Sequence, residues 1–182
     1  LAPDEFDVAG ATTGVVERDE ILGPERIAEG DALIAVASSG LHSNGYSLVR
    51  HVLLEQAGWT LDRHVDELGR TVGEELLEPT IVYAADLLAL AHHSEVHAMC
   101  HVTGGGLANN LTRVMPSHLT ATIERSTWSP APIFRLVQEV GAVSQSDIEE
   151  TLNMGVGMVI ALPDDQVPEA LEFLAGRGLT AW

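Results

Sequence analysis

Two uninterrupted apolar runs constrain the fold of this chain more than any other feature of its sequence. Residues 32–38 read ALIAVAS and residues 157–163 read GMVIALP, and neither run contains a charged side chain. Apolar runs of this length are typical of strands inside a sheet. Three further segments have a strand-like composition, at residues 6–17, 95–103 and 120–124. The sequence therefore predicts five strands, with residues 32–38 as a central one.

Apolar residues at helical spacing indicate helices between these strands. Residues 46–57 show this spacing and are followed by Gly58, a typical residue for a helix C-terminus. A second helix follows Pro79, and its predicted apolar stripe consists of Ile81, Ala84, Ala85, Leu88 and Ala91. Further helices are predicted at residues 107–115, 133–140, 147–152 and 164–176. Because strands and helices alternate, the sequence predicts a mixed domain, in which only residues 59–73 show no clear period.

The charge pattern excludes several classes of function. The formal net charge is −18, and the nine basic residues are all Arg and are scattered along the chain. Nucleic acids are bound by clustered basic residues, so we expect no nucleic-acid partner. Without Lys, the chain contains neither a Schiff-base lysine nor the lysine of a Walker-type phosphate loop.

Cysteine content and hydropathy predict the location of the protein. The single cysteine, Cys100, excludes an internal disulfide and fits a reducing cytoplasm. No signal peptide and no apolar run of about 18 residues is present, so we expect a cytoplasmic protein without a membrane partner. The chain begins at Leu1 and ends in a short apolar segment after a glycine-marked turn. We therefore expect residues 1–182 to form a single domain of a longer protein.

Three segments combine glycine with polar side chains at the end of a predicted strand. They are GLHSNG at residues 40–45, HVTGGGL at residues 101–107 and NMGVGM at residues 153–158. The first two precede predicted helices, whose free N–H groups favour an anion, and glycine lets a ligand approach the backbone closely. Neither segment has the spacing of a Walker or a dinucleotide-binding motif. Two alternatives stay open: Ser43 or Asn44 caps a helix beside a surface His42, and the three glycines form a plain turn.

The histidines of the third predicted strand suggest a metal site, but the strand geometry argues against it. His97 and His101 would lie about 13 Å apart on one face of that strand. Zinc requires ligand nitrogens at about 2 Å, so these two side chains cannot share one ion. The sequence therefore predicts no metal site in this chain.

Taken together, several segments of the chain resemble one enzyme family. They are FDVAG…GVVE, GLHSNGYSLVR, LLEPTIVY, VHAMCHVTGGGLANNLTRVMP and NMGVGMVIALP, in this order. Their sequence and order are similar to the C-terminal half of phosphoribosylformylglycinamidine cyclo-ligase, also called aminoimidazole ribonucleotide synthetase. The resemblance runs from Phe6 to Trp182, nearly the whole chain.

The resemblance implies a fold and a reaction. The implied fold is α+β, a mixed sheet with helices in a three-layer α/β/α sandwich. The implied reaction is the ATP-dependent conversion of formylglycinamidine ribonucleotide to aminoimidazole ribonucleotide, with release of ADP and phosphate, in de novo purine biosynthesis. Family members are homodimers, and ATP and Mg²⁺ are bound mainly by an N-terminal half. We therefore expect this chain alone to bind no cofactor and to be inactive.

The resemblance also implies site residues. His42 is the predicted catalytic residue, because an imidazole serves as a proton donor or acceptor near neutral pH. The predicted substrate and phosphate contacts are Gly40, Ser43, Asn44, Gly45, Thr103, Gly104, Gly105, Gly106, Asn153 and Gly155. Two alternatives remain. One is a related ATP-dependent enzyme of the selenophosphate synthetase or thiamine-monophosphate kinase type, and the other is a non-catalytic dimerisation or binding module.

Overall fold

A computed structural model describes residues 9–182 of the chain, and these residues form an α+β domain. The strands are β1 (Ala32–Ala37), β2 (His64–Val65), β3 (Arg70–Thr71), β4 (Ala98–His101) and β5 (Val156–Leu162). The helices are α1 (Tyr46–Arg50), α2 (Val72–Leu76), α3 (Ala84–His93), α4 (Gly106–Leu111), α5 (Pro132–Gly141), α6 (Gln145–Thr151) and α7 (Val167–Gly176). A π-helical stretch, His51–Gln56, extends α1. The α+β class and most of the predicted elements are confirmed.

The main sheet has the strand order β1-β5-β4, and both pairs are antiparallel. The two apolar runs therefore lie side by side, with Ala32 opposite Leu162. On the other edge of β1, the N–H groups of Ala35 and Ala37 donate to the carbonyl oxygens of Trp182 and Thr180. Within residues 9–182 no parallel pair occurs, so the parallel pairing of a mixed sheet is not found there.

Apolar side chains cover both faces of the sheet. On one face α3 and α7 pack against β1 and β5, in a cluster that includes Ile34, Val36, Leu87, Leu90, Ile160, Leu162, Ala170 and Leu174. On the other face α4 packs in a smaller cluster around Cys100, Val102, Leu111 and Val159. A third cluster, centred on Phe134, joins the π-helical stretch with α5 and α6. Burial of this apolar surface is the main source of stability.

Two of the predicted strands are wrong. Residues 9–17 of the first form no strand and are exposed, and residues 6–8 of the same segment lie outside the described residues. Residues 120–124 also form no strand. A segment rich in β-branched residues forms a strand only where a neighbouring strand pairs with that segment. Within residues 9–182, neither of these two segments has such a partner.

The apolar stripe predicted for the helix after Pro79 is also wrong in its register. The helix begins at Ala84, and it buries Leu87 and Leu90, whereas Leu88 is 60% exposed. Tyr83, directly before the helix, is buried as well, so the buried positions follow the spacing i, i+4 and i+7 from Tyr83. The unassigned residues 59–73 contain the short hairpin of β2 and β3.

None of the helices that the structure describes between residues 9 and 182 has the length and apolar composition needed to cross a membrane.

Candidate active site

Hydrogen bonds join the first and third glycine-containing loops beside the end of β1. The side chain of Asn153 is buried, and its Nδ2 donates to the carbonyl oxygen of Gly40 at 2.9 Å. Its Oδ1 accepts from the backbone N–H of Gly155 at 2.8 Å and from Ser38 Oγ at 3.1 Å. The backbone N–H of Ser38 in turn donates to the carbonyl oxygen of Gly155. The two loops therefore form one connected unit.

The second loop, Thr103 to Gly106, approaches the first through a glycine. The Oδ1 atom of Asn44 lies 3.4 Å from the position that a Cβ on Gly104 would occupy. At Gly106 the backbone has a φ of +70°, and a Cβ there would overlap the carbonyl oxygen of Glu149 in α6. All three predicted loops thus meet at one end of the sheet, and this close packing requires glycine.

Asn110 in α4 holds the second loop in place, a role that was not predicted from the sequence. Its side chain is 3% exposed, and its Nδ2 donates to the carbonyl oxygens of Thr103, Gly104 and Gly106 at 3.2, 3.3 and 2.7 Å. Its Oδ1 accepts from the hydroxyl of Thr103 at 3.1 Å. The carbonyl oxygens of this loop thus bind Asn110. The backbone N–H groups of Gly104 and Gly105, by contrast, donate to no backbone carbonyl oxygen among the described residues.

His42 belongs to the first loop and is almost completely buried, at 4% exposure. Its backbone has a φ of +58°, a left-handed conformation that is uncommon for a side-chain-bearing residue. The Nε2 atom accepts a hydrogen bond from the backbone N–H of Ser39 at 3.2 Å. The Nδ1 atom is buried and has no partner among residues 9–182. Burial lowers the pKa of the imidazole below its usual value, and nearby His101 lowers it further, so the neutral form of the ring is favoured.

Two aromatic side chains surround the His42 ring, and both were missed as site residues. The centroids of the Tyr83 and His101 rings lie 5.9 and 6.4 Å from that of His42. The Tyr83 hydroxyl donates to the carbonyl oxygen of Ala37 at 2.7 Å, and burial raises the pKa of this hydroxyl well above its usual range. His101 is exposed, so it is the member of the three that faces solvent. Gly157 makes room for the group, since a Cβ there would overlap the Tyr83 hydroxyl.

The capping alternative for the first loop is wrong. The N-cap of α1 is Gly45, with a φ of +78° and no side-chain capping bond, so neither Ser43 nor Asn44 caps the helix. Ser43 is exposed and Asn44 is partly buried beside Gly104. His42 is likewise not a surface residue. Helix capping and surface exposure therefore do not explain why polar side chains are concentrated in the first loop.

Comparison with known proteins identifies the family of the chain. Residues 28–182 match the family described as AIR synthase related protein, C-terminal domain. The chain belongs to this family.

Relatives of this chain are named as cyclo-ligases. A Streptomyces fradiae protein named "Putative phosphoribosylformylglycinamidine cyclo-ligase" is 60% identical over 156 residues, which cover 86% of each chain. Proteins named phosphoribosylformylglycinamidine cyclo-ligase from Shouchella clausii and Geotalea daltonii are 46% and 42% identical over 98% and 100% of this chain. The chain spans 52% of the length of each of these two relatives. The family resemblance expected from the sequence is therefore confirmed.

The histidines considered for zinc are separated in this C-terminal domain. His97 is buried, and its Nδ1 lies 2.6 Å from the carboxylate of Asp31, whereas His101 belongs to the group around His42. Among residues 9–182 no group of three or more His, Cys, Asp or Glu side chains is arranged to hold a metal ion.

One cavity of the domain is not lined by His42. It has a volume of about 430 Å³ and lies on the sheet face opposite to α3, lined by Leu33, Ala35, Val159 and Trp182. A second cavity, of about 400 Å³, is lined by Gly105 of the second loop and Met154 of the third. The three loops bring backbone N–H groups and a buried imidazole to one end of the sheet.

Proposed function

We propose that this chain supplies one wall of the active site of an ATP-dependent phosphoribosylformylglycinamidine cyclo-ligase. The intact protein would convert formylglycinamidine ribonucleotide to aminoimidazole ribonucleotide, with ADP and phosphate as the other products, in de novo purine biosynthesis. One observation carries the proposal: in a domain of this family, all three glycine-containing loops meet around a single buried histidine. Relatives at 42–60% identity bear the name of this enzyme.

The contacts of the individual residues suggest which of them bind the substrate and which position the loops. The N–H groups of Gly104 and Gly105 are free to donate to phosphate oxygens, and main-chain donors of this kind bind anions without a basic side chain. They lie near the guanidinium of Arg113, which donates to Asn110 Oδ1 at 3.2 Å, whereas Arg70, Arg125 and Arg177 pair with carboxylates.

Ser43 and His101 are exposed and Asn44 is partly exposed, and these three side chains would contact substrate directly. Asn153 and Gly155 have a different part in the proposal, since the polar atoms of the Asn153 side chain already bind the protein backbone and Ser38. We assign them the positioning of the first loop.

The residues around His42 do not fit a magnesium site. Mg²⁺ is held by carboxylates and phosphate oxygens. The carboxylate near the first loop is that of Glu75, which lies 3.8 Å from the position of a Cβ on Gly40 and pairs with Arg70 at 2.6 Å. The metal of the proposed reaction, and most contacts to ATP, would therefore be supplied by protein outside this chain, in a cytoplasmic homodimer.

The strain at His42 favours an enzyme over the alternative of a structural or binding module. A left-handed φ at a non-glycine residue and a buried nitrogen without a partner each cost free energy, and such features concentrate at functional sites. A loop that served only as a turn would be more stable with glycine or asparagine at this position.

The test is a steady-state assay of the intact protein for ADP release. We expect release that depends on formylglycinamidine ribonucleotide and matches ring formation one to one. Thiamine monophosphate and selenide, offered separately in place of that substrate, distinguish the related enzymes. Consumption of ATP that depends on either of these, or no ADP release that depends on formylglycinamidine ribonucleotide, would contradict the proposal.

A further inference from the structure

We propose that His42 acts as a neutral hydrogen-bond donor through Nδ1, aimed at the reacting oxygen of the bound substrate, and that the main-chain amide of Ser39 fixes this tautomer. The inference rests on the proposed function, and it assigns to the imidazole a role other than that of a general base.

The tautomer follows from the partner of Nε2. The backbone N–H of Ser39 is an obligatory donor, and it points at Nε2 with an N to N distance of 3.2 Å. An acceptor nitrogen of a neutral imidazole carries no proton, so the proton lies on Nδ1. Protonation of Nε2 would set two N–H groups against each other, in a site where burial already disfavours the charged ring.

Tyr83 lies beside Nε2 but does not replace the Ser39 N–H group as its hydrogen-bond donor. Its hydroxyl lies 3.5 Å from Nε2, but its single proton is donated to the carbonyl oxygen of Ala37 at 2.7 Å. Gly157 on β5 faces the Tyr83 hydroxyl and Cε1 of His42, since a Cβ there would overlap the hydroxyl and lie 3.0 Å from Cε1. Only the Nδ1 edge of the imidazole is left for a further interaction.

The Nδ1–H group is a buried donor without an acceptor among residues 9–182. Buried donors are nearly always paired, because an unpaired one costs the full desolvation of the group. The domain itself covers this edge, so a ligand oxygen reaches Nδ1 only after the covering side chains move, and once bound there it would remove that cost. A donor fixed in advance also stabilises the charge that an oxygen gains during reaction.

Two substitutions separate the two edges of the ring. The amide nitrogen of Asn can take the place of Nδ1, and that of Gln the place of Nε2. Asn also tolerates the left-handed backbone of position 42. In the intact protein we expect His42→Asn to retain kcat within about tenfold of wild type, whereas His42→Gln lowers kcat by about 10²-fold, the usual effect of losing one such donor. A melting curve for each variant controls for folding.

Two kinetic results would overturn the proposal. One is a His42→Gln variant with a kcat equal to or higher than that of His42→Asn, which would make Nε2 the functional edge. The other is a loss confined to KM, because a contact to a non-reacting oxygen contributes equally before and during the chemical step.

Nitrogen NMR of the intact protein, with ¹⁵N-labelled histidine, tests the tautomer independently of activity. We expect His42 to show a protonated Nδ1 and an unprotonated Nε2 near pH 7. The reversed pattern would overturn the inference even in an active enzyme. The expected pattern in a protein without cyclo-ligase activity would instead uphold the tautomer and contradict the proposed function.

Discussion

At the scale of the residue, the site depends on a few positions where ordinary side chains do not fit. His42 has a backbone φ of +58°. A strained conformation of this kind costs about 1–3 kcal/mol and persists only when its surroundings hold it. The surroundings here are the Ser39 amide, the Tyr83 ring and the backbone of Gly157. Gly157 is therefore the position where the packing can be tested without altering a polar group.

We expect Gly157→Ala to lower the free energy of unfolding by about 1–3 kcal/mol, the usual cost of an overpacked core. The added methyl would overlap the Tyr83 hydroxyl and lie 3.0 Å from Cε1 of His42. Urea denaturation of the intact protein gives the measurement. The matched control is Gly176→Ala in α7, where no atom lies within 4 Å, and we expect it to be neutral or to add up to about 1 kcal/mol. Equal stability of the two variants would show that Tyr83 does not pack against Gly157.

At the scale of the element, the second loop is shaped by the helix that follows it. Asn110 in α4 donates to three carbonyl oxygens of the loop. The preceding residue, Asn109, can be compared with it. Asn109 also donates to this loop, to the carbonyl oxygen of Gly105 at 2.8 Å, but its side chain is exposed. Because only Asn110 is buried, its side chain should contribute more to the free energy of unfolding than that of Asn109.

We expect Asn110→Ala to destabilise the protein by about 1–3 kcal/mol, since it leaves buried carbonyl groups without a donor. Asn109→Ala should cost less than about 0.5 kcal/mol, because water replaces an exposed amide. Thermal unfolding compares the two variants, and kcat shows whether the loosened loop matters for activity. The account of the loop fails if Asn109→Ala proves the more damaging change.

The sequence was sufficient to predict those elements whose pattern is local. Residues 32–38 and 157–163 became β1 and β5, and the glycines of GLHSNG, HVTGGGL and NMGVGM did mark the loops that meet. Residues 120–124 were mispredicted because pairing depends on a partner distant in sequence.

The site was predicted less completely than the fold. Tyr83 and Gly157 escaped notice because their role exists only in contact with His42, although GVG at residues 155–157 was a usable signal. His101 was considered only as a metal ligand, since the sequence does not show that it lies beside His42. Residues that meet at the end of the sheet are distant in sequence. Their contacts depend on the tertiary structure, and a local sequence pattern does not show them.

At the scale of the whole molecule, this chain has one part of what the proposed reaction needs. It offers main-chain donors and a buried imidazole, but it contains no Lys, and residues 9–182 contain no cluster of metal-binding side chains. Phosphoryl transfer from ATP relies on cationic groups or metal ions to neutralise the phosphates. The remaining parts of the proposed site therefore have to come from elsewhere in the intact protein.

We expect the purified 182-residue chain to hydrolyse no ATP and to form no aminoimidazole ribonucleotide, because residues 9–182 contain no cluster of side chains that would hold the metal ion on which phosphoryl transfer relies. The measurement is ADP release with and without formylglycinamidine ribonucleotide, and the intact protein serves as the positive control. Circular dichroism of the chain establishes that a negative result comes from a folded domain. Turnover by the chain alone would refute this prediction.

The most direct test of the central claim, that the loops around His42 form a wall of the active site, is the kcat of His42→Ala in the intact protein. The account predicts a fall of about 10²-fold or more in substrate-dependent ADP release, the usual effect of removing a donor at a reacting oxygen. A melting curve recorded beside the kinetics shows how much of the protein is folded at the assay temperature. A His42→Ala protein with unchanged kcat would contradict the account, whatever its stability.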